Sequence, residues 1–321
     1  MSSAEGVKVD SYFSGKKIWV TGSRGMLGSA LVRRLKQENC EILMPGRVEL
    51  NLCDQAAVLA WAEKNRPQLV FHAAAMVGGI YANSTLPAEF LYNNLTIEAN
   101  VINAAKCIAV EKLIFVASNC IYPVNSPQPL SERYILTGPL EENIRFYGIS
   151  KIAGIELCRA YRKQFNCNFI SIIPPNLYGP GDTYHESHAH VVAGILRRSH
   201  EAKVAGHGEV VVWGDGTARR ELLYVDDVAD AMAFLMTAKT EEEVFNVGCG
   251  HDFTIAELAG LIAEAVGFHG TIVYDKTKPN GTMQKLLDSS RIMSLGWRPQ
   301  VDERTGLKNA YSDFQQRFGR F

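Results

Sequence analysis

The sequence predicts an α/β fold, a doubly wound parallel sheet joined to a smaller α/β unit, on three observations. Short apolar strands alternate with helix-like segments from residue 17 to about 175. A glycine-rich turn joins the first strand to the first helix, and the alternation breaks down after residue 180. Alternating strand and helix is the pattern of parallel βαβ units, with helices on both faces of one sheet.

Taken in order, KKIWVTGSRGMLGSALVRRLKQ reads as a buried strand, a glycine turn and an amphipathic helix. Further strands are expected at CEILMPG, QLVFHAAA, KLIFVAS and NFISIIPPN. Helices are expected at DQAAVLAWAEKN, EFLYNNLTIEANVINAAKC and YGISKIAGIELCRAYRKQF. Beyond residue 180 come a Gly/His-rich loop and a helix with paired arginines. VVVWGDGTARRELLYVDD then reads as a strand, a tight turn and a second strand. Residues 1–180 therefore form the expected nucleotide-binding domain, with a return segment at 225–250. Residues 181–321 form mainly the substrate domain.

With 47% hydrophobic and 21% charged residues, the 321-residue chain has the balance of a globular protein with a substantial core. A formal net charge of −1 offers no basic excess for nucleic acid or a membrane surface. No apolar run is long enough to span a bilayer. The first fifteen or so residues are polar and irregular, a loose leader without the apolar stretch of a signal peptide. Seven cysteines without a CxxC pair point to reduced thiols and a cytoplasmic setting.

The turn Thr21-Gly22-Ser23-Arg24-Gly25-Met26-Leu27-Gly28 has the spacing of a Rossmann-type dinucleotide loop. Gly22 allows the tight turn, Gly25 lets backbone approach a pyrophosphate, and Gly28 lets helix pack on strand. The N–H groups at the helix start then hold the phosphates. Glycines also make ordinary turns; the place of these after the first strand gives them their meaning. An NAD site would put an acid at the end of the second strand. Here that strand runs into Pro45-Gly46-Arg47. Arg24 and Arg47 together suit a 2′-phosphate, so NADP(H) is the expected cofactor.

Tyr147 and Lys151 are four residues apart on one expected helix face. A neighbouring cation lowers a tyrosine pKa, which makes Tyr147 a credible proton donor to a carbonyl being reduced. Ser118 closes the KLIFVAS strand, at the sheet edge where such folds bind ligands.

Serine, tyrosine and lysine in this order resemble the triad of the short-chain dehydrogenase/reductase superfamily. TGxxGxxG, the length and a second domain resemble its extended, nucleotide-sugar-modifying branch. Over nearly the whole chain the sequence is similar to the GDP-L-fucose synthase family. The matching stretches include GSRGMLGSA, AAAMVGGIYANSTLPAEF, SNCIYP, YGISKIAGIELC, PNLYGP, HVVAGILRR, VVVWGDGTARRELLYVDD and KPNGTMQKLLD.

The resemblance implies an enzyme that epimerises carbons 3 and 5 of a GDP-linked 4-keto sugar and then reduces the ketone with NADPH. It implies Cys120 as base and His190 as acid for the inversions. It places Ala74, Asn176 and Leu177 at the cofactor, with Val77, Gly78 and Asn176 bordering the sugar. Arg198, Arg220, Lys285 and Trp213 match family positions around the nucleotide sugar. A nearby cation lowers a thiol pKa into a useful range, which Cys120 needs. A homodimer through two helices of the first domain is the family habit. Departures fall at Ser118-Asn119, Pro174-Pro175-Asn176, Gly181-Asp182-Thr183-Tyr184 and His190-Val191-Val192-Ala193. A 3-deoxy sugar leading to GDP-colitose, or a GDP-linked 4-keto heptose, fits the same constellation. His185, His188 and His190 imitate a metal site, but the chemistry needs no metal, and none is expected.

Overall fold

The computed structural model describes residues 12–185, 189–278 and 280–318; most of the expected leader, and His188, lie outside the described residues. In chain order β1 (Lys17–Thr21) leads into α1 (Met26–Leu35) and β2 (Glu41–Leu43) into α2 (Gln55–Asn65). Next, β3 (Leu69–His72) precedes a short α3 (Ile80–Thr85) and a long α4 (Pro87–Cys107). Then β4 (Lys112–Val116) leads to α5 (Arg145–Phe165) and β5 (Phe169–Ile173).

The helix boundaries have local causes. Asp54 caps α2 by accepting a hydrogen bond from the Ala57 N–H at 3.0 Å. Left-handed Asn166 ends α5. That helix starts at Arg145, two residues before the expected Tyr147, so the tyrosine sits within its first turn.

Six parallel strands form one sheet in the order β10-β5-β4-β3-β1-β2, where β10 is Val244–Asn246. Helices cover both faces, so alternate residues of one strand serve two different cores. Ile18 and Val20 of β1 pack in one, while Trp19 packs in the other. Ile170 and Ile172 of β5 divide from Phe169 and Ile173 in the same way. This is a Rossmann-type sheet. The chain steps from β1 to β2 on one side, then crosses over to β3 on the other. That reversal opens a crevice at the carboxyl ends of β1 and β3, where such sheets bind ligands.

The later elements are β6 (Asn176–Tyr178), α6 (Val191–Ala205), β7 (Glu209–Trp213), β8 (Arg219–Arg220), β9 (Leu222–Tyr224) and α7 (Val225–Thr237). After β10 come β11 (Phe253–Thr254), α8 (Ile255–Val266), β12 (Thr271–Asp275), β13 (Gln284–Lys285), α9 (Ser290–Ser294) and α10 (Glu303–Phe318). A third core joins α6, α8 and α10. Meanwhile α7 returns to the first core with Val228, Met232 and Met236.

The two strands read in VVVWGDGTARRELLYVDD do not pair with each other. β7 pairs with β12, and β8 lies between β11 and β13. Gly214 and Gly216, at φ of 86° and 84°, turn the chain into a different sheet. Among the described residues no helix is long and apolar enough to cross a membrane.

Candidate active site

A cavity of about 720 Å³ occupies the crevice. Its floor is the glycine turn. Gly22, at φ 68°, lies so close to β3 that a Cβ would come within 2.8 Å of the Ala74 backbone. A Cβ on Gly28 would stand 2.0 Å from the Gly22 carbonyl oxygen. No other residue type fits either position without moving backbone. α1 begins at this turn without a side-chain cap, and Gly25, Met26, Leu27 and Gly28 line the cavity. Uncapped N–H groups at a helix start suit a phosphate.

Ser23, Arg24, Arg47 and Ala74 continue the wall. Arg24 lies across buried Gly46, the residue before Arg47 in the chain, and a Cβ there would meet its Nη2 at 2.7 Å. Both arginines are exposed, and Leu43-Met44-Pro45 brings no acid to the end of β2. A backbone cradle, an uncapped helix start and two exposed arginines lining the same cavity fit a dinucleotide carrying an extra phosphate.

The opposite wall holds Ser118, Tyr147, Lys151, Asn176, Leu177 and His190, with Val77 and Gly78 at the rim. Ser118 lies two residues beyond β4 and caps the short turn Asn119–Ile121, accepting a hydrogen bond from the Cys120 N–H at 3.5 Å. Cys120 sits behind this wall, buried, and close to Tyr147. Gly148 makes the approach possible, since a Cβ there would meet the Cys120 carbonyl at 3.0 Å. His190 is exposed to the cleft and immediately precedes α6.

Two sequence expectations about charge are corrected. Lys151 was expected to lower the Tyr147 pKa; burial first, then Cys120 and Glu98, push it well above the ordinary tyrosine value. The Lys151 ammonium is already paired with Glu98 at 3.0 Å and donates to the Val116 carbonyl at 3.1 Å. Cys120 is also raised, because burial outweighs the Ser118 hydrogen bond and the pull of Lys285 and Lys151. Sequence spacing identified the cation beside Tyr147 but neither the cations near Cys120 nor the desolvation around both groups.

The expected sugar-nucleotide residues stand outside the cavity lining. Lys285 pairs with Glu141 at 3.1 Å. Arg220 donates to the carbonyls of Arg219, Thr282 and Asn280. Burial pushes the Glu141 carboxyl up, but Lys285, Thr282 and Arg220 together hold it below its ordinary value. Arg198 folds back towards Gly194, and its buried Nε meets no hydrogen-bond partner among the described residues. A guanidinium with an unsatisfied buried nitrogen of this kind suits an anionic ligand. Trp213 is 55% exposed on β7, with the Lys278 ammonium 5.7 Å from its ring centre.

The match to known proteins agrees with this geometry. Residues 18–248 match the model of the NAD dependent epimerase/dehydratase family. A GDP-L-fucose synthase of Sinorhizobium fredii is 48% identical over 300 residues, 94% of this chain and 96% of that one. The chain belongs to the GDP-L-fucose synthase family. A GDP-L-colitose synthase of Yersinia pseudotuberculosis is 35% identical over 93% of this chain and 97% of its own. The solved structure of a GDP-L-fucose synthetase from Naegleria fowleri bound to NADP superposes with a TM-score of 0.88. It is 25% identical and covers 96% of each chain.

Three residues of this GDP-L-fucose synthase family site escaped the sequence reading. Asn94 clamps the rim, accepting from the Met76 N–H at 2.7 Å and donating to its carbonyl at 3.0 Å. Glu98 pairs with Lys151, and Glu141 with Lys285. Asn94 and Glu98 were visible as polar residues four apart on a helix face otherwise buried. Glu141 lies in an irregular stretch and gave no such signal. Elsewhere Cys249, His251 and Glu303 lie within 4.8 Å of one another. Burial and Glu221 push that thiol up to about 12, and its one proton lies within reach of the Leu222 and His251 carbonyls, both 3.3 Å away.

Proposed function

We propose that the chain is a bifunctional enzyme that epimerises carbons 3 and 5 of GDP-4-keto-6-deoxymannose and reduces its ketone with NADPH, giving GDP-L-fucose. The observation that carries this is one cavity with two walls: a glycine cradle beside two arginines, facing Ser118, Tyr147, Lys151 and His190.

The 4-keto group acidifies the hydrogens on carbons 3 and 5, because the enolate spreads charge onto oxygen. Cys120 takes a proton from one ring face and His190 delivers one to the other. As a buried thiol, Cys120 acts only with help from Lys285, Lys151 and the Ser118 hydroxyl. Ser118 then holds the ketone oxygen while Tyr147 gives it a proton. NADPH, when bound, supplies the hydride for carbon 4. The glycine turn would hold its pyrophosphate, Arg24 and Arg47 its 2′-phosphate, and Lys151 its nicotinamide ribose, with Ala74, Asn176 and Leu177 beside it. Val77, Gly78 and Asn176 border the sugar. Arg198, Arg220, Lys285 and Trp213, from residues 181–321, take the nucleotide diphosphate.

A second reading rests on the colitose synthase relative: a 3-deoxy ketone, inverted only at carbon 5, would use the same residues. In either case the enzyme is a cytoplasmic homodimer in this proposal, on its free thiols and its family.

NADPH absorbance and product NMR with GDP-4-keto-6-deoxymannose test the reading. Oxidation with GDP-L-fucose as product is expected; turnover only of 3-deoxy or heptose ketones would move the substrate assignment. Cys120→Ser should slow exchange of the ring hydrogens into heavy water by about 100-fold. Undiminished exchange would remove Cys120 from the mechanism.

A further inference from the structure

A second cavity, of about 290 Å³, lies between β9, the loop after β10 and the segment leading into α10. It shares no lining residue with the catalytic cavity. Cys249, His251 and Glu303 all line it. One thiol sulfur, one ring nitrogen and one carboxylate oxygen from these three stand within 4.8 Å of one another. His251 Nε2 and Glu303 Oε1 are already 2.5 Å apart.

Each of the three is placed by the fold. Gly250, at φ 85°, turns the loop between Cys249 and His251, a conformation that suits glycine. Its N–H donates to the buried Glu221 carboxylate at 2.9 Å, and Glu221 also accepts from the Leu287 N–H at 2.8 Å. The loop is thereby anchored from behind. The His251 ring meets the Phe253 ring edge-on, with centres 5.3 Å apart. Asp302 is committed to the start of α10, accepting from the Thr305 N–H at 2.9 Å and its hydroxyl at 2.7 Å. Glu303 is thus the acid that faces the loop. The local field favours a cation, since the acids Glu221 and Glu303 both act on the thiol.

Thiolate, imidazole and carboxylate together are a donor set for zinc. Its tetrahedral bonds, about 2.3 Å to sulfur and about 2.1 Å to nitrogen and oxygen, put neighbouring donors about 3.5 Å apart. Closing the widest gap here and opening the His251–Glu303 pair are each movements of about 1 Å, within the reach of side chains.

We propose that Cys249, His251 and Glu303 form a zinc site that ties the loop after the edge strand β10 to the last helix, with a fourth position open to water in the cavity. As the Zn–S bond forms, the Cys249 thiol gives its proton to solvent. His251 binds as neutral imidazole and Glu303 as carboxylate. No step of the reaction proposed above passes through this site.

The test uses the full chain, freed of metal by dialysis against EDTA, kept reduced with a phosphine, and titrated with cobalt(II) and then zinc(II). Cobalt held tetrahedrally by a thiolate gives sulfur-to-metal charge-transfer absorption in the near ultraviolet and intense visible bands. One equivalent of cobalt should produce both, and one equivalent of zinc should remove them, with a zinc dissociation constant of about 10 μM or tighter. Cys249→Ser should abolish the charge-transfer band. His251→Asn should weaken zinc binding by at least about 100-fold, more than the loss of an outer partner would cost. Saturating zinc should raise the melting temperature of the parent by about 5 °C and leave both variants unmoved.

A charge-transfer band that survives Cys249→Ser would put the metal on another of the seven cysteines and overturn the proposal. Equal zinc binding by parent and His251→Asn, a constant weaker than about 10 μM, or an unmoved parent melting temperature would also overturn it. His251 is exposed, so His251→Asn carries the test if Cys249→Ser does not fold.

Discussion

The two sides of the cleft are built from different material. The cofactor side is backbone: glycines at Gly22, Gly25 and Gly28, an uncapped helix start, and arginines left in water. The catalytic and sugar side is side chains withdrawn from water: Cys120, Tyr147, Glu98 with Lys151, and Glu141 with Lys285. Backbone recognition is steric, all or nothing, and indifferent to pH. Recognition by desolvated charges is graded, and every group in it reports on its neighbours.

If that contrast holds, the largest effect comes from the backbone side. Gly28→Ala forces a Cβ into the Gly22 carbonyl. A cost of about 3 kcal/mol, or roughly 100-fold in NADPH affinity by fluorescence titration, is expected. An alanine that binds NADPH normally would break the contrast, since the turn would then be compliant.

Below both walls, buried His72 meets Thr21 Oγ1 at 2.8 Å across β1 and β3. Burial, then Lys151, lower its pKa from 6.5 to about 3. Between those values the unfolded chain binds a proton that the fold refuses. The stability is therefore whole above the unfolded value and is lost as pH falls. By about pH 5 the loss from this group is about 2 kcal/mol. Denaturant unfolding at about pH 7 and pH 5 should show it, and His72→Gln should flatten the difference. An unchanged difference would assign the acid sensitivity to other groups.

The smallest effect separates binding from stability on the charged side. Arg198 is lowered by burial, and its Nε has no partner among the described residues, an arrangement that is costly to bury. Arg198→Met should raise KM for the nucleotide sugar about tenfold, at the low end for a charged hydrogen bond. Its melting temperature should stay level or rise. A fall in melting temperature with KM unmoved would make this arginine structural.

The same division explains what could be read in advance. A glycine required by a 2.0 Å contact is written in one short stretch, as are the Tyr147–Lys151 spacing and the alternating buried strands. Glu98 and Glu141 act across the fold, on partners 53 and 144 residues away by number, and local pattern does not contain those meetings. The pKa directions of Tyr147 and Cys120 were misjudged because burial, their leading cause, is set by the assembled fold and not by local spacing. The strand, turn and second strand read in VVVWGDGTARRELLYVDD are present, but their partners were not legible there: β7 pairs with β12, and β8 with β11 and β13, all beyond residue 250.

The edge strand β10 and the helix α7 have a consequence for how the molecule comes into being. The sheet that carries the glycine cradle is closed by residues 244–246, and its first core takes in Met232, Ile292 and Trp297. A ribosome that has released the first 180 residues has delivered the cradle, but not the surfaces that cover Ile18, Val20 and Ile172. Contacts this distant in sequence slow folding and leave apolar strands open while they wait. Nearly the whole chain must therefore emerge before the nucleotide-binding half is finished, and nascent-chain chaperones have their longest task on its oldest residues.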